Sequence, residues 1–418
     1  MDEVLSRHVS GIASEQLACF PGIVIEGARQ VGKSTLAQQI ADRDAVMVSL
    51  DIESARSAAE SDPHGFVNQA EGRQLVIDEI QRLPSLTLAI KASIDADRRP
   101  GRFILTGSAS LLRVRGLADS LAGRVGRLTL HSLSQGEIKQ RRDDLVSIIA
   151  EEPGALLAAR CDLGRSGYAQ MIAVGGYPEA QHLSPRIRGS WIDSYLEGVI
   201  RRDLLELRRQ VSPDRAMALL RALAGRQSAE LVKAKLAAEA SIPEGTITGY
   251  IDLLHSVGLT LTIPPWTANI SKRQTGRSKV LIVDSGVALR LIRLTDAQLG
   301  SIEYGEILGA TLEGFVYSEL LRQRTWSSRD FDVYHYRDRD GDEVGVVIEL
   351  YDGTVIGIEV KASTSFSGKQ FAGLLRMRDR LGDRFRAGIV LNTGSSGYRY
   401  SDKLWGAPIS ALWSLQDA

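Results

Sequence analysis

The sequence predicts an α/β protein built from several domains, and three observations lead to this prediction. The chain has 418 residues, more than a single hydrophobic core usually serves, so two to four domains are expected. In its first third, short apolar runs alternate with helix-length segments, which is typical of parallel strands buried in an α/β layer. Farther along, the pattern becomes helical and then returns to strands joined by turns, which indicates further domains of other kinds.

The composition bounds the class of protein. Lysine plus arginine equals aspartate plus glutamate, 51 against 51, so no overall positive field indicates nucleic acid, although a local basic patch stays open. The two cysteines, Cys19 and Cys161, form neither a disulfide framework nor a paired metal spacing. No apolar stretch approaches a signal sequence or the roughly 20 residues of a membrane span. We therefore expect a soluble, cytoplasmic protein with no membrane partner.

Four apolar runs predict the parallel sheet of the first domain, which we place at residues 1–140. The runs are GIVIEG (22–27), VMVSLDI (46–52), QLVIDEI (74–80) and RFILTGS (102–108). A segment of helix length follows each of them, as expected when helices cover a parallel sheet.

The first run leads directly into GARQVGKST, residues 27–35, which opens a helix. This stretch fits the phosphate-binding pattern G-x-x-x-x-G-K-[S/T], with the strand before it and the helix after it that the motif requires. The two fixed glycines let the backbone curl so that its N–H groups point at phosphate oxygens, beside the positive end of the helix dipole. The predicted nucleotide-binding residues are Gly27, Ala28, Arg29, Gln30, Val31, Gly32, Lys33, Ser34 and Thr35.

The motif gives Lys33 and Ser34 separate tasks, and a second strand adds two acids. Lys33 is predicted to reach the β- and γ-phosphates, and the Ser34 hydroxyl to bind Mg²⁺. The strand LVIDEI (75–80) contains Asp78, which would hold the metal directly or through water, and Glu79, which would polarise the attacking water. Together these residues predict Mg²⁺-dependent hydrolysis of ATP to ADP.

Two more residues are candidate catalytic residues, each with an alternative. Thr106 lies near the carboxyl end of a neighbouring strand, where a hydroxyl could touch the γ-phosphate or the attacking water. The other interpretation is a simple strand-to-helix cap by Ser108 or Ser110. Arg124, in the turn SLAGRVG (120–126), either reaches a phosphate across a subunit boundary or is merely solvated.

The middle of the chain is predicted to be helical and then to form a winged helix-turn-helix. We place a helical lid or connector at 141–210 and the winged helix at 211–285. Its second helix, within 243–258, offers Thr246, Thr248 and Tyr250 but few basic residues. The basic stretch SKRQTGRSK (271–279) would lie in or near the wing. Weak contact with a DNA backbone and docking of a protein partner both stay open.

The last domain, placed at 286–418, contains a predicted hairpin around Tyr351-Asp352-Gly353, with positive φ at the glycine. In this register Val347 faces Gly357. Side-chain alternation puts an apolar set on one face, namely Val344, Val346, Ile348, Leu350, Ile356, Ile358 and Val360.

The motifs together resemble a known family, the prokaryotic AAA-type ATPases that carry a C-terminal domain of unknown function with nuclease-like character. The resemblance spans nearly the whole chain and is carried, in order, by GARQVGKST, LVIDEIQRLP, FILTGSAS, SLAGR, GGYPEA, YLEGVIRRDLLEL, IPPW, KVLIVDSGV, LEGFVYSEL and IGIEVKAS. It implies a P-loop AAA-like core, a helical lid, a winged helix and a terminal α/β fold similar to restriction-type nucleases. It also implies a homo-oligomer, because AAA-like sites often borrow an arginine from a neighbouring subunit.

The family also typically has an acid where this chain has Gly345. In nucleases of this fold two carboxylates hold one Mg²⁺, and Glu359-Val360-Lys361 provides only the second of them together with its lysine. Glu313 is a further candidate acid. The alternative is structural, with Glu343 and Lys361 as a cross-strand ion pair and Glu359 bound to the same lysine or to an arginine. We therefore predict a nuclease-like domain without nuclease activity, and the alternative is an ATP-regulated DNA-binding protein or metal-dependent nuclease.

Overall fold

The computed structural model describes residues 5–108, 121–208, 211–268, 276–338 and 341–415. The chain divides into two compact units. One is Met1–Ser132 together with Ser256–Gly258, and the other is Leu133–His255 together with Leu259–Ala418. The domain boundaries expected near 140, 210 and 285 stay predictions.

The first unit contains a five-stranded parallel sheet with the order β2-β3-β4-β1-β5. Its strands are β1 Gly22–Gly27, β2 Val46–Ser49, β3 Leu75–Asp78, β4 Phe103–Ser108 and β5 Val125–Thr129. The parallel sheet predicted from four apolar runs is confirmed, with β2 ending earlier than its run and β5 added at the edge. The helices of this unit are Ser10–Cys19, Lys33–Ile40, Glu53–Ser61, Pro63–Asn68 and Leu86–Ala96.

The core of the first unit forms where apolar strands meet the apolar stripe of a helix. Leu86, Ile90 and Ile94 are buried at a spacing of four residues, which places them on one face of their helix. They share a core cluster with Ile77 of β3 and Leu105 of β4. The central strands are therefore fixed by burial on the sheet face, and their carboxyl ends meet at one edge.

The second unit begins with a helical region, and further helices accompany its C-terminal strands. The helices from residue 135 onward are Gln135–Ile138, Leu145–Glu151, Arg165–Val174, Pro185–Gly198, Leu204–Leu207, Pro213–Ala224, Lys233–Glu239, Ile247–Ser256, Ser285–Leu291, Asp296–Gly300, Gly305–Gln323, Ala372–Leu381 and Ala411–Ser414, with a π-helical turn at Val199–Asp203. Lys233–Glu239 and Ile247–Ser256 are followed by an antiparallel hairpin of β6 Thr260–Ile263 and β7 Lys279–Ile282. This is the expected order of elements, and the assignment as a winged helix stays a prediction.

A six-stranded mixed sheet with the order β12-β13-β11-β10-β9-β8 completes the second unit. Its strands are β8 Phe331–Arg337, β9 Glu343–Leu350, β10 Val355–Lys361, β11 Phe385–Asn392, β12 Tyr398–Ser401 and β13 Leu404–Pro408. One core cluster joins this sheet to the helical region, because Ile149 and Ile172 pack in it with Ile358 and Ile389. Arg386 of β11 also donates hydrogen bonds to the carbonyl oxygens of Ala150 (2.9 Å) and Glu151 (2.6 Å).

The hairpin between β9 and β10 has the predicted register in its ladder, where Val347 pairs with Gly357, and Gly353 has φ +85°. One part of the predicted alternation is wrong. Val344 lies in a different core cluster, with Leu374 and Met377, rather than with Val346. The cause is a register shift between β8 and β9 at Tyr334/Tyr336, since a bulge turns the following side chains to the other face.

Within the described ranges, no helix has both the length and the apolar character needed to cross a membrane.

Candidate functional site

The phosphate loop lies between β1 and the helix Lys33–Ile40, at the carboxyl edge of the parallel sheet. A Cβ atom at Gly27 would lie 2.2 Å from the carbonyl oxygen of Leu130, and Gly32 has φ +95°. Only glycine fits the first position without a clash and the second without backbone strain. The loop conformation therefore depends on the two glycines of the motif.

Lys33 is buried, and its ammonium group lies inside the loop. It donates hydrogen bonds to the carbonyl oxygens of Ala28 (2.9 Å) and Gly27 (3.3 Å). Of the other predicted loop residues, Val31 is buried, Gln30 has φ +64°, and Thr35 is exposed on the helix. The Lys33 ammonium group is thus placed where phosphate oxygens would meet the loop.

Ser34, Asp78 and Thr106 form one hydrogen-bonded group. The Ser34 hydroxyl donates to Asp78 Oδ1 at 2.8 Å, and the Thr106 hydroxyl donates to the same oxygen. Parallel pairing brings these residues together. Ile77 of β3 lies opposite Leu105 of β4, and Thr106 of β4 lies opposite Ile25 of β1, so the three strands end side by side. Oxygen donors from a hydroxyl and a carboxylate are ligands that suit Mg²⁺, so Ser34 and Asp78 fit the predicted metal site.

Glu79 is held by two neighbours in an unusual backbone conformation, with φ +58°. Its N–H donates to Thr106 Oγ1 at 3.2 Å, and its carboxylate accepts a hydrogen bond from the Gln81 side chain. Gln81 Oε1 in turn accepts the N–H of Ser108 at 3.3 Å. A non-glycine residue with positive φ is uncommon, so this strand end is fixed by specific contacts rather than by local preference.

Two residues at the site, Gln81 and Arg7, were not predicted from the sequence. Gln81 follows Glu79 by two residues, and that spacing was the only available signal. Arg7 is buried and donates to the carbonyl oxygens of Val31 (2.8 Å) and His131 (2.7 Å), so it ties the phosphate loop to the segment after β5. Nothing local in the sequence indicates this role.

Arg124 does not join the phosphate loop of its own chain. It precedes Val125, which pairs with Gly22 at the amino end of β1, whereas the loop follows Gly27 at the other end. Its guanidinium binds both carboxylate oxygens of Asp95, at 2.8 and 3.0 Å. Ser110, the alternative cap after β4, lies outside the described residues. Ser108 ends β4.

In the hairpin of β9 and β10, one of the two ion pairs predicted as the structural alternative is present and the other is not. Lys361 pairs with Glu359 at 2.7 Å, and Glu343 pairs with Lys279 at 3.4 Å, so the Glu343–Lys361 pair predicted as an alternative is replaced. Gly345 has no side chain to offer a metal. Among the residues that the structure describes, no group of three or more His, Cys, Asp or Glu could hold a metal ion. The donor set therefore does not fit a nuclease metal.

Two parts of the predicted DNA-binding surface are corrected. Tyr250 is buried, and its hydroxyl accepts the N–H of Ser212 at 3.1 Å, so it packs inside the unit. Lys279 is 1% exposed and cannot meet a phosphate at the surface. Thr246 and Thr248 are exposed. Residues 271–275 of the basic stretch lie outside the described residues.

Three protein-family models match the chain. A model of an AAA domain matches residues 20–139, and two models of domains of unknown function match residues 165–298 (DUF8612) and 308–412 (DUF4143). These matches support an AAA-type ATPase family with C-terminal domains of unknown function, and with it ATP binding. The order of these matches, an AAA domain followed by domains of unknown function, agrees with the resemblance found in the sequence.

Two mycobacterial proteins are similar to the chain over most of its length. Uncharacterized proteins of Mycobacterium tuberculosis (Rv2008c) and Mycobacterium bovis (Mb2031c) are each 27% identical over 347 residues, which is 82% of this chain and 71% of the relative. Neither name describes an activity.

Solved structures of lower similarity include AMPPCP-bound DnaA from Aquifex aeolicus and a RuvB variant from Thermotoga maritima. The DnaA structure has 15% identity and a TM-score of 0.25, covering 59% of this chain and 85% of that chain. The RuvB structure has 18% identity and a TM-score of 0.27, covering 62% and 90%. At these TM-scores neither similarity carries an argument about this chain.

Proposed function

We propose that the chain is a Mg²⁺-dependent ATPase whose nucleotide state controls a multidomain or oligomeric assembly in the cytoplasm. The observation that carries this proposal is the hydrogen-bonded group of Ser34, Asp78 and Thr106 beside the phosphate loop. It places a predicted metal-binding hydroxyl and carboxylate in direct contact. The match of residues 20–139 to an AAA domain supports the same proposal.

The proposed roles of the site residues come from the motif, and the contacts of Ser34, Asp78 and Thr106 support them. Lys33 binds the β- and γ-phosphates, and Ser34 and Asp78 hold Mg²⁺, which would offset phosphate charge. Glu79 orients and polarises the attacking water. Thr106 acts through its bonds to Asp78 and to the Glu79 N–H, so we assign it as a positioning residue rather than one that touches phosphate.

The variant Glu79→Gln tests the assignment of the water-activating residue. It keeps the loop and the metal-binding oxygens, so ATP affinity should stay within a few fold of wild type. Phosphate release should fall by about 10²–10⁴-fold, the usual contribution of a positioned base. Calorimetry measures the binding and a phosphate-release assay the turnover. Wild-type turnover by this variant would remove Glu79 from the mechanism.

The control of an assembly is proposed to run through Arg124, at the opposite edge of the sheet from its own phosphate loop. There it can serve only a neighbouring copy as an arginine finger, after leaving Asp95. Mixing two inactive variants tests this idea. Arg124→Ala keeps an intact nucleotide site, and Lys33→Ala keeps an intact arginine, so a mixed oligomer should recover ATPase activity that neither variant has.

Light scattering of the same samples, with and without ATP, provides the control for that mixture. We expect an oligomer in the presence of ATP. A monomer under both conditions, or a mixture no more active than its parts, would contradict a shared site and leave ATP hydrolysis itself unaffected.

A second candidate function, backbone binding of DNA by the winged-helix region, is favoured by one cavity. This cavity of about 480 Å³ is lined by Arg226, Lys235, Arg277 and Arg337, with Glu230 as its acidic residue. Lys235, Arg277 and Arg337 are exposed, and Arg226 pairs with Glu239. A surplus of positive charge in a concave surface suits phosphate groups.

The double variant Lys235→Glu/Arg277→Glu tests this second function against Lys139→Glu/Arg141→Glu, which makes the same change of charge on exposed residues elsewhere. Fluorescence anisotropy with a labelled DNA duplex at several salt concentrations measures the affinity. The first variant should lower the salt slope by roughly two, and the control should not. No binding by wild type would leave a protein partner as the better account of this region.

A further inference from the structure

Three glutamates from three separate elements meet beside the nuclease-like hairpin. We name Glu313, Glu343 and Glu359 the acidic cluster. Glu313 lies on the helix Gly305–Gln323, Glu343 begins β9, and Glu359 lies near the end of β10. Electrostatic repulsion from the other two glutamates acts on Glu313, whose pKa is raised mainly by burial and lowered in part by Lys279. The cluster therefore needs a positive charge.

The positive charge comes from Lys279, the first residue of β7. Its ammonium lies 2.8 Å from Glu313 Oε1 and 3.4 Å from Glu343 Oε1, and its side chain is 1% exposed. The backbone of Lys279 is fixed by pairing with Ile263 and by a bridge to Glu230. Burying an ammonium is costly unless carboxylates surround it, so this contact specifies the position of the side chain.

The third carboxylate is neutralised separately. Glu359 Oε2 pairs with Lys361 at 2.7 Å, and Glu359 Oε1 accepts the N–H of Gly345 at 3.0 Å. Both oxygens of Glu359 are therefore committed. Two ammonium groups supply the cluster with two positive charges, the same total as one divalent cation.

An acid at position 345, which a nuclease would need, would also lie close to Glu313. A Cβ atom at this position would lie 3.3 Å from Glu313 Oε2, so an added carboxylate would meet another carboxylate. We propose that Lys279 occupies, with its own ammonium group, the place where a related nuclease would hold a divalent cation. The acidic cluster thereby binds β7 to the C-terminal sheet as a metal-independent clamp.

This inference is independent of ATP hydrolysis, since the residues involved all belong to the second unit. It also predicts that a single added acid is insufficient for metal binding. Gly345→Asp alone adds a fourth carboxylate to a cluster that already holds its cation, so we expect neither metal binding nor DNA cleavage from it. Gly345→Asp/Lys279→Met removes the ammonium and adds a ligand, and this double variant should bind Mn²⁺.

The variant Lys279→Met, which keeps the length of the side chain without its charge, tests the proposal in nucleotide-free full-length protein. Without divalent cations its Tm should fall by roughly 5–10 °C, because the acidic cluster loses its buried counterion. Added Mn²⁺ should restore part of that loss and bind with one-to-one stoichiometry in calorimetry, beyond any binding by wild type. The wild-type Tm should not respond to Mn²⁺.

Lys361→Met is the matched control, because it removes the partly exposed lysine of the same cluster and leaves Lys279 in place. It should show no Mn²⁺-dependent rise in Tm. If Lys279→Met does not fold, the variant Lys279→Met/Glu313→Gln/Glu343→Gln should fold and ignore Mn²⁺, because the charges are removed together. The proposal is overturned if wild type gains as much from Mn²⁺ as Lys279→Met, or if Lys279→Met keeps the wild-type Tm without metal.

Discussion

The carboxyl edge of the parallel sheet and the acidic cluster of the C-terminal sheet use the same residue types in opposite ways. Each combines lysine with carboxylates at strand ends. At the first edge, the Asp78 carboxylate meets hydroxyl groups, and Lys33 is held by neutral carbonyl groups of the loop. At the second, Lys279 lies directly between Glu313 and Glu343.

The difference lies in the groups that each charged side chain contacts. The hydroxyl groups beside Asp78 and the carbonyl groups beside Lys33 hold these side chains in place without themselves neutralising the charge. An ion pair neutralises both partners, and the carboxylates of the acidic cluster are neutralised in this way. Lysine and carboxylate side chains can therefore form either a ligand-binding site or a structural contact, depending on the groups that they contact.

The largest expected effect separates the lysines of the two regions. Lys33→Ala should weaken ATP binding by about 100-fold or more, because it removes a charged donor to a highly charged ligand. Lys361→Ala should leave the ATP affinity unchanged. Calorimetry with ATP and Mg²⁺ measures the affinity of both variants. Equal affinities would contradict a role for Lys33 in binding ATP.

The next effect is a loss of stability in acid that originates beside Lys279. Burial, and next to it the Lys279 charge, lowers the pKa of His335 from 6.5 to about 4, while its Nε2 bonds the Arg277 carbonyl oxygen at 3.0 Å. A histidine whose pKa is lower when folded contributes stability above pH 6.5 and loses it as the pH falls toward 4. The loss should reach up to about 3 kcal/mol.

His335→Gln isolates this contribution, because it keeps an N–H donor for the Arg277 carbonyl group but does not titrate. The free energy of unfolding, measured with urea at pH 7, 5.5 and 4, should fall less steeply in this variant than in wild type. Parallel curves for the two proteins would show that His335 is not the titrating group.

A smaller effect is expected at the phosphate edge. Thr106→Val keeps the shape of the buried side chain and removes the hydroxyl that contacts Asp78 and Glu79. Turnover should fall by roughly tenfold, about 1.4 kcal/mol, through misplacement of these two groups, with ATP affinity nearly unchanged. Thr87→Val, at a buried hydroxyl that bonds the Pro84 carbonyl oxygen, is the control and should keep wild-type turnover. A tenfold loss of ATP affinity instead would place Thr106 in direct contact with nucleotide.

The smallest effect concerns Lys361, the partly exposed lysine that pairs with Glu359 of the acidic cluster. Lys361→Met removes an ion pair whose lysine is 40% exposed, so the free energy of unfolding should change by only about 0.2–1 kcal/mol. Chemical denaturation beside Lys279→Met compares the two lysines directly. Equal losses would indicate that burial does not distinguish them.

Features set by short stretches of sequence were predictable. The apolar runs predicted the parallel sheet, and the turn at Gly353 predicted the ladder of the hairpin, because burial and turn chemistry act within a few residues. The spacing of the phosphate motif predicted its place between strand and helix. Each of these depends on neighbours in the chain.

Features set by distant contacts were not predictable. Lys279 meets Glu313 and Glu343 only after three elements pack together, so its basic surroundings in the sequence suggested an exposed wing instead. The register shift that moves Val344, and the bond that holds Tyr250 inside, are also products of tertiary packing. Charged residues are the least predictable, since their role depends on the partner that folding provides.

The hydrogen bonds from Arg386 to the end of the helix Leu145–Glu151 affect the order in which the chain can fold during its synthesis. Arg386 follows Ala150 by 236 residues. At about 5–20 residues per second, a ribosome needs roughly 10 to 50 s to add that length. The five parallel strands can pair long before then, whereas the apolar faces of the early helices wait for β11. During that interval these faces are exposed apolar surface, the feature of unfinished chains that chaperones bind.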